Sequence, residues 1–543
     1  MRHRLNWLGV AVAVVMTVAL VTAGAPGATN AGRPAAHSLV VRTDAGTVEG
    51  KTTGAVDSFL GIPFAAPPVG ELRWQPPQPA PAWPGVRPAT SYGPACPQAS
   101  RATVNEDCLY LNVYRPARPA GERLPVLLWI HGGGFSSGSG DQFDGSLLAE
   151  TNNIVVVTIN YRLGVFGFLD LPGLSPAGAG NYGLLDQVAA LKWANHNIDR
   201  FGGDPEGVTV AGLSAGGHSV CSLLASPLTH GLINGAIIHS GGCPSHTVTE
   251  SQAAGARFAN DAGCGAAADP VGCLRTKPAA EILGSSAGFR GGILSGPLPT
   301  AGVPELPLAP LTAMRTGRFE KVPLLIGSTR DEVRAWALPF RDATPAQYEK
   351  SLEYLFGDRA ADVAKQYPLS NFPAQDTAAY ALGAVWTDSS VFFGLGGCQY
   401  AQLAQDIAKY QPKTFLYRFD ARPPSGPVNP AAFDPGATHA ADQAYLWPTP
   451  ASVYDRDQLR LSVEMVRYWG AFVRQGAPDA AGQAEWPSVP HDRTMILQPG
   501  GSSTVTSAAF AATHHCDLWN SISYQWLDID PDQLADRIGV ARR

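Results

Sequence analysis

The stretch Phe201-Gly202-Gly203-Asp204-Pro205-Glu206-Gly207-Val208-Thr209-Val210-Ala211-Gly212-Leu213-Ser214-Ala215-Gly216-Gly217 decides how the chain is read. Val208-Thr209-Val210 is a β-branched run with the character of a short buried strand, and the residues from Ala215 to Leu224 are small and apolar enough to open a helix. Between them, Gly212-Leu213-Ser214-Ala215-Gly216 has the Gly-x-Ser-x-Gly pattern of a nucleophile presented on a sharp strand-to-helix turn. Such a turn is strained and tightly packed, so a Cβ at either glycine would clash. A helix beginning at Ala215 offers unpaired N–H groups to a developing negative charge. Ser214 is therefore the candidate nucleophile.

The pattern also occurs at Gly134-Phe135-Ser136-Ser137-Gly138 and at Gly284-Ser285-Ser286-Ala287-Gly288, as a chain with 59 glycines invites. No helix-like segment follows Ser136 and no β-branched strand precedes Ser286. Only Ser214 has both flanks.

Working outward, 45% hydrophobic residues in 543 allow a large core, and a net charge of −6 without a long basic run argues against a nucleic-acid partner. At the N-terminus Arg2, His3 and Arg4 precede the uncharged apolar run Leu8 to Ala23, with small residues following through Ala31. This reads as a secretory signal peptide cleaved between Ala25 and Ala36. Residues 1–36 are then leader and small-residue linker, and 37–543 one domain of an extracellular protein without a stable membrane anchor. Exported cysteines favour disulfides. Cys96 with Cys108 and Cys264 with Cys273 are close pairs, each loop worth about 3 kcal/mol if bridged without strain. Cys398 and Cys516 can form a third, long-range bridge, which leaves Cys221 and Cys243 in apolar segments. With no Cys-x-x-Cys or His-x-x-x-His pairing, zinc is a poor alternative, and no metal or cofactor is implied.

Ser38 to Gly50 alternates around Asp44-Ala45-Gly46 as a hairpin does, whereas the proline-rich segment Phe59 to Trp74 is expected to wrap the edge of a sheet. Asp107 to Tyr114 alternates as a strand. Leu124 to Ile130 reads as a buried strand that ends at His131-Gly132-Gly133-Gly134-Phe135. Three glycines there let the backbone approach a ligand and turn its N–H groups inward, as an oxyanion hole built from Gly133 and Gly134 beside Ala215 requires. Ile154 to Ile159 and Asn234 to Ser240 are further strands, and a helix begins near Asn181. Strands alternating with helices imply an α/β fold, a mostly parallel twisted sheet covered by helices on both faces, with ligands at the carboxyl ends of the strands.

Gly61 to Trp74, Glu106 to Asn112, His131 to Phe135, Asn160 to Phe168, Gly180 to Gln187 and Phe201 to Gly217 together resemble the type-B carboxylesterase/lipase family, an α/β-hydrolase group that includes bacterial para-nitrobenzyl esterases, fungal lipases and cholinesterases. The resemblance spans roughly Val40 to Trp519 and implies an acid and a histidine later in the chain. Lys321 to Gly327 is a late strand, and in the following Ser328-Thr329-Arg330-Asp331-Glu332-Val333 the matching acid is Glu332. Val333 stands where the family usually has Gly, which keeps Asp331 as an alternative. The loop Asp434 to Trp447 resembles the family's histidine loop and points to His439, with Ala440 where Gly is common; His491, His514 and His515 read as structural.

The resemblance implies hydrolysis of small carboxylic esters through a Ser214–His439–Glu332 triad and an acyl-enzyme. A lipase acting on acylglycerols is an alternative, and a non-catalytic adhesion protein on the same fold is opposed by the retained serine, acid, histidine and glycines. Cholinesterases hold a quaternary ammonium on a Trp of the first disulfide loop, but Cys96 to Cys108 contains no aromatic residue. Leu213 likewise replaces the Glu often found before the serine. Choline esters are therefore not the expected substrates.

Overall fold

The β-rich runs assemble into one mixed sheet of 11 strands. In chain order these are β1 (Lys51–Thr53), β2 (Val56–Pro63), β3 (Tyr110–Pro116), β4 (Leu124–Ile130), β5 (Val155–Ile159), β6 (Gly203–Leu213), β7 (Gly235–His239), β8 (Leu324–Thr329), β9 (Thr414–Phe419), β10 (Thr494–Leu497) and β11 (Ser503–Val505). Their spatial order is β11-β10-β9-β8-β7-β6-β4-β5-β3-β2-β1. The block from β10 to β5 is parallel throughout, and antiparallel strands flank it on both sides. The computed structural model describes residues 38–117, 123–174, 178–286, 289, 296–392, 394–424, 433–522 and 531–541. The leader expected over 1–36 and Ala287-Gly288 of the third serine motif lie outside the described residues.

The central strands are buried on both faces, and their period of two divides the core. Val126, Leu128, Ile130, Val208, Val210 and Ile238 point to the side covered by α1 (Tyr182–Asn197) and α2 (Ala215–Ala225). Leu127, Trp129, Ala211, Ile237 and Leu325 point to the other side, where α3 (Arg456–Gln475) lays down Leu461, Met465, Trp469 and Phe472. The start of α3 is fixed by Asp455, which accepts N–H bonds from Asp457 and Gln458, and its end by Gly476 in the left-handed region. Each fully buried aliphatic or aromatic side chain on that face contributes about 1.5–3 kcal/mol relative to exposure.

The hairpin expected over Ser38 to Gly50 is present, Val40–Arg42 pairing antiparallel with Thr47–Glu49. The proline-rich segment differs from expectation in its first half. Val56–Pro63 is a buried strand one position in from the sheet edge. Its only proline is the last residue, where the ladder no longer needs an N–H, and Gly61 at φ +69° takes up a register shift between Phe59 and Ile62. Beyond it the chain does wrap: Trp74 is buried with its indole N–H on the Val165 carbonyl (2.8 Å).

Four disulfides are formed: Cys96–Cys108, Cys264–Cys273, Cys398–Cys516 and, from the two cysteines left unassigned by sequence, Cys221–Cys243. That last pair ties α2 to the turn after β7, two elements brought together because β6 and β7 are neighbours.

Candidate active site

The register of the parallel strands gathers the candidate residues at one edge. Ile130 of β4 lies opposite Gly212 of β6, Leu213 opposite His239 of β7, and His239 opposite Gly327 of β8. The residues that follow these strand ends, Gly132, Ser214, Ser240 and Glu332, therefore emerge side by side.

Ser214 sits between β6 and α2 at φ +57°, ψ −120°, a conformation a non-glycine residue rarely adopts. It is locked there by the Ser214 N–H on the His239 carbonyl (2.9 Å) and by the close packing of glycines around it. A Cβ on Gly212 would lie 2.4 Å from the Gly216 carbonyl carbon, and one on Gly216 would lie 2.0 Å from the Ile130 oxygen. The two glycines of the motif are thus required by packing.

The glycine loop reaches the same point. A Cβ on Gly132 would stand 3.2 Å from the Ser214 Cβ, so backbone passes directly beside the serine. The Gly133 carbonyl accepts the N–H groups of Ser136 and Ser137, and Gly133 and Gly134 both have positive φ. Among the described residues, the N–H groups of Gly133, Gly134 and Ala215 donate to no protein acceptor. His131 anchors this loop, its ring stacked on Tyr161 (4.5 Å) and its Nδ1 against the Gly132 oxygen (2.8 Å). Burial pushes the His131 imidazole down to about 4, so it is neutral at ordinary pH.

Glu332, fully buried, hydrogen-bonds through Oε1 to Nδ1 of His439. Its Oε2 accepts three bonds, from the Thr329 N–H (2.7 Å), the Thr329 hydroxyl (2.9 Å) and the Ser240 hydroxyl (3.1 Å). Both oxygens are engaged, and the carboxylate has one orientation. Asp331 acts elsewhere. It pairs with Arg330 and Arg334 and accepts the Ala437 N–H (2.8 Å), pinning the histidine loop from outside.

The histidine loop is held from its other side by a buried network. Asp442 accepts from His239 Nδ1 (2.8 Å) and the Tyr417 hydroxyl (3.1 Å), while the Trp469 indole donates to His239 Nε2 (2.9 Å). Burial alone would raise the Asp442 carboxyl, but the His239 ring and the bonds from Gln443 and Tyr417 hold it below the ordinary carboxylate range. Ala440, where the family resemblance suggests Gly, adopts φ +67°, the left-handed region that favours Gly. The other histidines lie elsewhere: His514 between Asp388 and Arg418, His515 against the Tyr367 ring, His491 exposed beside Ser488.

Sequence reading missed Ser240, Thr329 and His218. Trp336 packs its ring 5.5 Å from that of His439. His218, one turn beyond Ser214 on α2, is buried with Nδ1 unpartnered; burial and the nearby His439 push its imidazole down to about 3. Ser240 and Thr329 were findable as polar residues at strand ends, and His218 as a polar residue four positions after the serine. Among the described residues no group of three or more His, Cys, Asp or Glu is placed to hold a metal ion, and no helix is long and apolar enough to cross a membrane.

A family model described as the carboxylesterase family matches residues 37–519. The fumonisin B1 esterase of Sphingopyxis macrogoltabida is 39% identical over 475 residues, covering 83% of this chain and 84% of that protein. The para-nitrobenzyl esterase of Bacillus subtilis (strain 168) is 36% identical over 84% of this chain and 94% of its own length. The acetylcholinesterase of Bungarus fasciatus is 34% identical over 89% of this chain and 86% of its own. Among solved structures, a PNB esterase superposes with a TM-score of 0.74 at 34% identity, covering 88% of this chain and 100% of that chain.

Proposed function

Because the chain belongs to the carboxylesterase family and is therefore a carboxylic-ester hydrolase, we propose that it works through a Ser214–His439–Glu332 triad and an acyl-enzyme. The observation that carries this reading is the Glu332–His439 hydrogen bond at the strand ends beside the strained Ser214 turn.

The chemistry follows from these atoms. Glu332 accepts the Nδ1 proton of His439, which leaves Nε2 unprotonated and able to take the Ser214 hydroxyl proton. The serine oxygen attacks the ester carbonyl, and the resulting oxyanion receives the free N–H groups of Gly133, Gly134 and Ala215. Collapse breaks the bond to the alcohol oxygen, which leaves with the proton from His439. Water then enters, gives its proton to His439, attacks the acyl carbon and releases the carboxylic acid as Ser214 is reprotonated. The same residues serve both halves, and no metal or cofactor is required.

The acyl-enzyme is tested by partitioning. Phenyl butyrate and p-nitrophenyl butyrate, hydrolysed in the presence of methanol, should give the same ratio of methyl butyrate to butyric acid, since both pass through one butyryl-enzyme. A ratio that depends on the leaving group would contradict the scheme.

We further propose export through a cleaved leader within residues 1–36, followed by a single hydrolase domain over 37–543. The apolar run Leu8 to Ala23, four disulfides and one sheet that runs from Lys51 to Val505 support this reading. Protein recovered from culture medium should begin between Pro26 and His37; a mature chain retaining Met1 would contradict it.

A further inference from the structure

A cleft of about 350 Å³ opens beside the glycine loop, bordered by Gly133 and Leu213 on one side and by Ser100, Arg101, Gln142 and Phe143 on the other. Leu213 precedes Ser214 and Gly133 belongs to the proposed oxyanion hole. The cleft therefore lies next to the proposed nucleophile, within reach of a substituent of the bound ester.

What the cleft can hold is set by the hydrogen-bonding atoms not already used. Gln98, which also borders it, is spent: its amide donates to the Cys96 and Gly138 carbonyls, and its oxygen accepts from Gly138 and Ser100. The Ser137 hydroxyl donates to the Gly133 carbonyl. The Gln142 oxygen accepts the Ser139 N–H, which leaves its NH₂ free. Arg101 places Nη1 and Nη2 on the two oxygens of Asp141 at 2.8 and 2.9 Å. That bidentate pair uses two of the five guanidinium donors. The side-chain donors still unspent are therefore on Arg101 and Gln142, the hydroxyls of Ser100 and Ser137 keep only acceptor lone pairs, and the one aromatic ring of the lining, Phe143, is packed on Trp129 and Trp447.

The unspent donors suit an accepting ligand, and the guanidinium charge among them favours a carboxylate over the neutral acceptors an ester can carry. Charge-assisted bonds to guanidinium are roughly twice as strong as neutral ones. Asp141 offsets part of the charge but fixes the guanidinium plane, so little side-chain freedom is lost when a ligand arrives. We propose that this cleft is a subsite for a carboxylate carried by the ester substrate, bound by the free N–H groups of Arg101 and the amide of Gln142. The proposal rests on Ser214 being the nucleophile.

Two matched substrate pairs test it: the p-nitrophenyl monoester of adipic acid against p-nitrophenyl hexanoate, and the butyryl ester of 4-hydroxybutyrate against butyl butyrate. The first pair carries the carboxylate on the acyl part and the second on the alcohol part. The readout is the ratio of kcat/KM, charged over neutral, within each pair. In at least one pair Arg101→Gln should lower that ratio about fivefold, the upper end for a partly exposed ion pair. Arg101→Lys and Gln142→Leu should lower it less, Asp141→Asn should raise it, and added salt should shrink it. Gln142→Leu changes an exposed side chain and keeps the test open should Arg101→Gln fold poorly. A ratio that no variant moves in either pair would overturn the subsite while leaving the triad intact, since neutral esters would still turn over. Failure of wild-type protein to hydrolyse the neutral esters would overturn both.

Discussion

Replacing Glu332 by Gln should abolish turnover while preserving the fold, for a reason that can be worked atom by atom. Three donors, the Thr329 N–H, the Thr329 hydroxyl and the Ser240 hydroxyl, converge on Oε2 at 2.7 to 3.1 Å. A glutamine must therefore place its carbonyl oxygen there, which puts its NH₂ at the Oε1 position facing His439. That NH₂ can only donate, so Nδ1 of His439 must accept and its proton moves to Nε2. In the proposed triad the ring would then meet Ser214 in the wrong tautomer, and the imidazolium formed during attack would lose its counter-charge. In a serine protease the equivalent change costs about 10⁴ in kcat, roughly 5.4 kcal/mol of transition-state stabilisation. The three donors on Oε2 keep their acceptor and one N–H of the new amide meets Nδ1, which leaves one buried amide N–H over, so the unfolding free energy should fall by no more than about 1–3 kcal/mol. Steady-state hydrolysis of p-nitrophenyl butyrate, with thermal unfolding of the same preparation, reads both quantities. A Glu332→Gln variant that unfolds like wild type yet keeps more than about a tenth of its kcat would refute the reasoning, since the wrong tautomer demands a far larger loss.

The buried histidines make stability pH-dependent. His131 and His218 are depressed to about 4 and about 3 from an unfolded value near 6.5, so the unfolded chain binds more protons and stability falls as pH drops from about 6.5 towards 4. Each contributes on the order of a few kcal/mol across that window; urea unfolding at pH 7 and pH 5 should show the loss, and His218→Leu should lessen it. Equal stability at the two pH values would contradict the burial argument. Removing Cys398 and Cys516 together opens a link spanning 118 residues, whereas Cys221 and Cys243 span 22. Loop entropy makes the first loss about 5 and the second about 3 kcal/mol, so calorimetry of the two double-serine variants should rank them in that order. Gly216→Ala would drive a Cβ to 2.0 Å from the Ile130 oxygen. It should cost activity and lower Tm together, and a fully active, stable variant would show that the turn is not as tightly packed as described.

How much was legible in the sequence depended on whether a feature is local. Leu124 to Ile130 is continuous, β-branched or leucine-rich and bounded by glycines, and the strand spans those same residues. The turn at Ser214 carries its own signature in two glycines and two flanks. Glu332 and His439 were placed by likeness of short loops, and Glu332 rather than Asp331 is the acid that meets His439. Thr329 meets Glu332 locally, three residues away. Ser240, polar at a strand end, was open to suspicion, but its bond to Glu332 depends on the register of β7 against β8, with His239 opposite Gly327. Cys221–Cys243 escaped for the same reason: the pairing requires β6 and β7 to be neighbours so that α2 crosses the turn after β7. The first half of the Phe59 to Trp74 segment was misjudged because its proline count was read as a whole. A single proline at the last residue of a strand is harmless.

The central claim is that Ser214 is the nucleophile, and covalent labelling tests it most directly. Treating the enzyme with a fluorophosphonate and measuring intact mass should give one adduct per chain, in step with loss of esterase activity. Peptide mapping should place that adduct on Ser214, and Ser214→Ala should take up no label and hydrolyse no ester while unfolding at the wild-type temperature. An adduct on Ser136 or any other residue, or turnover that survives in Ser214→Ala, would contradict it.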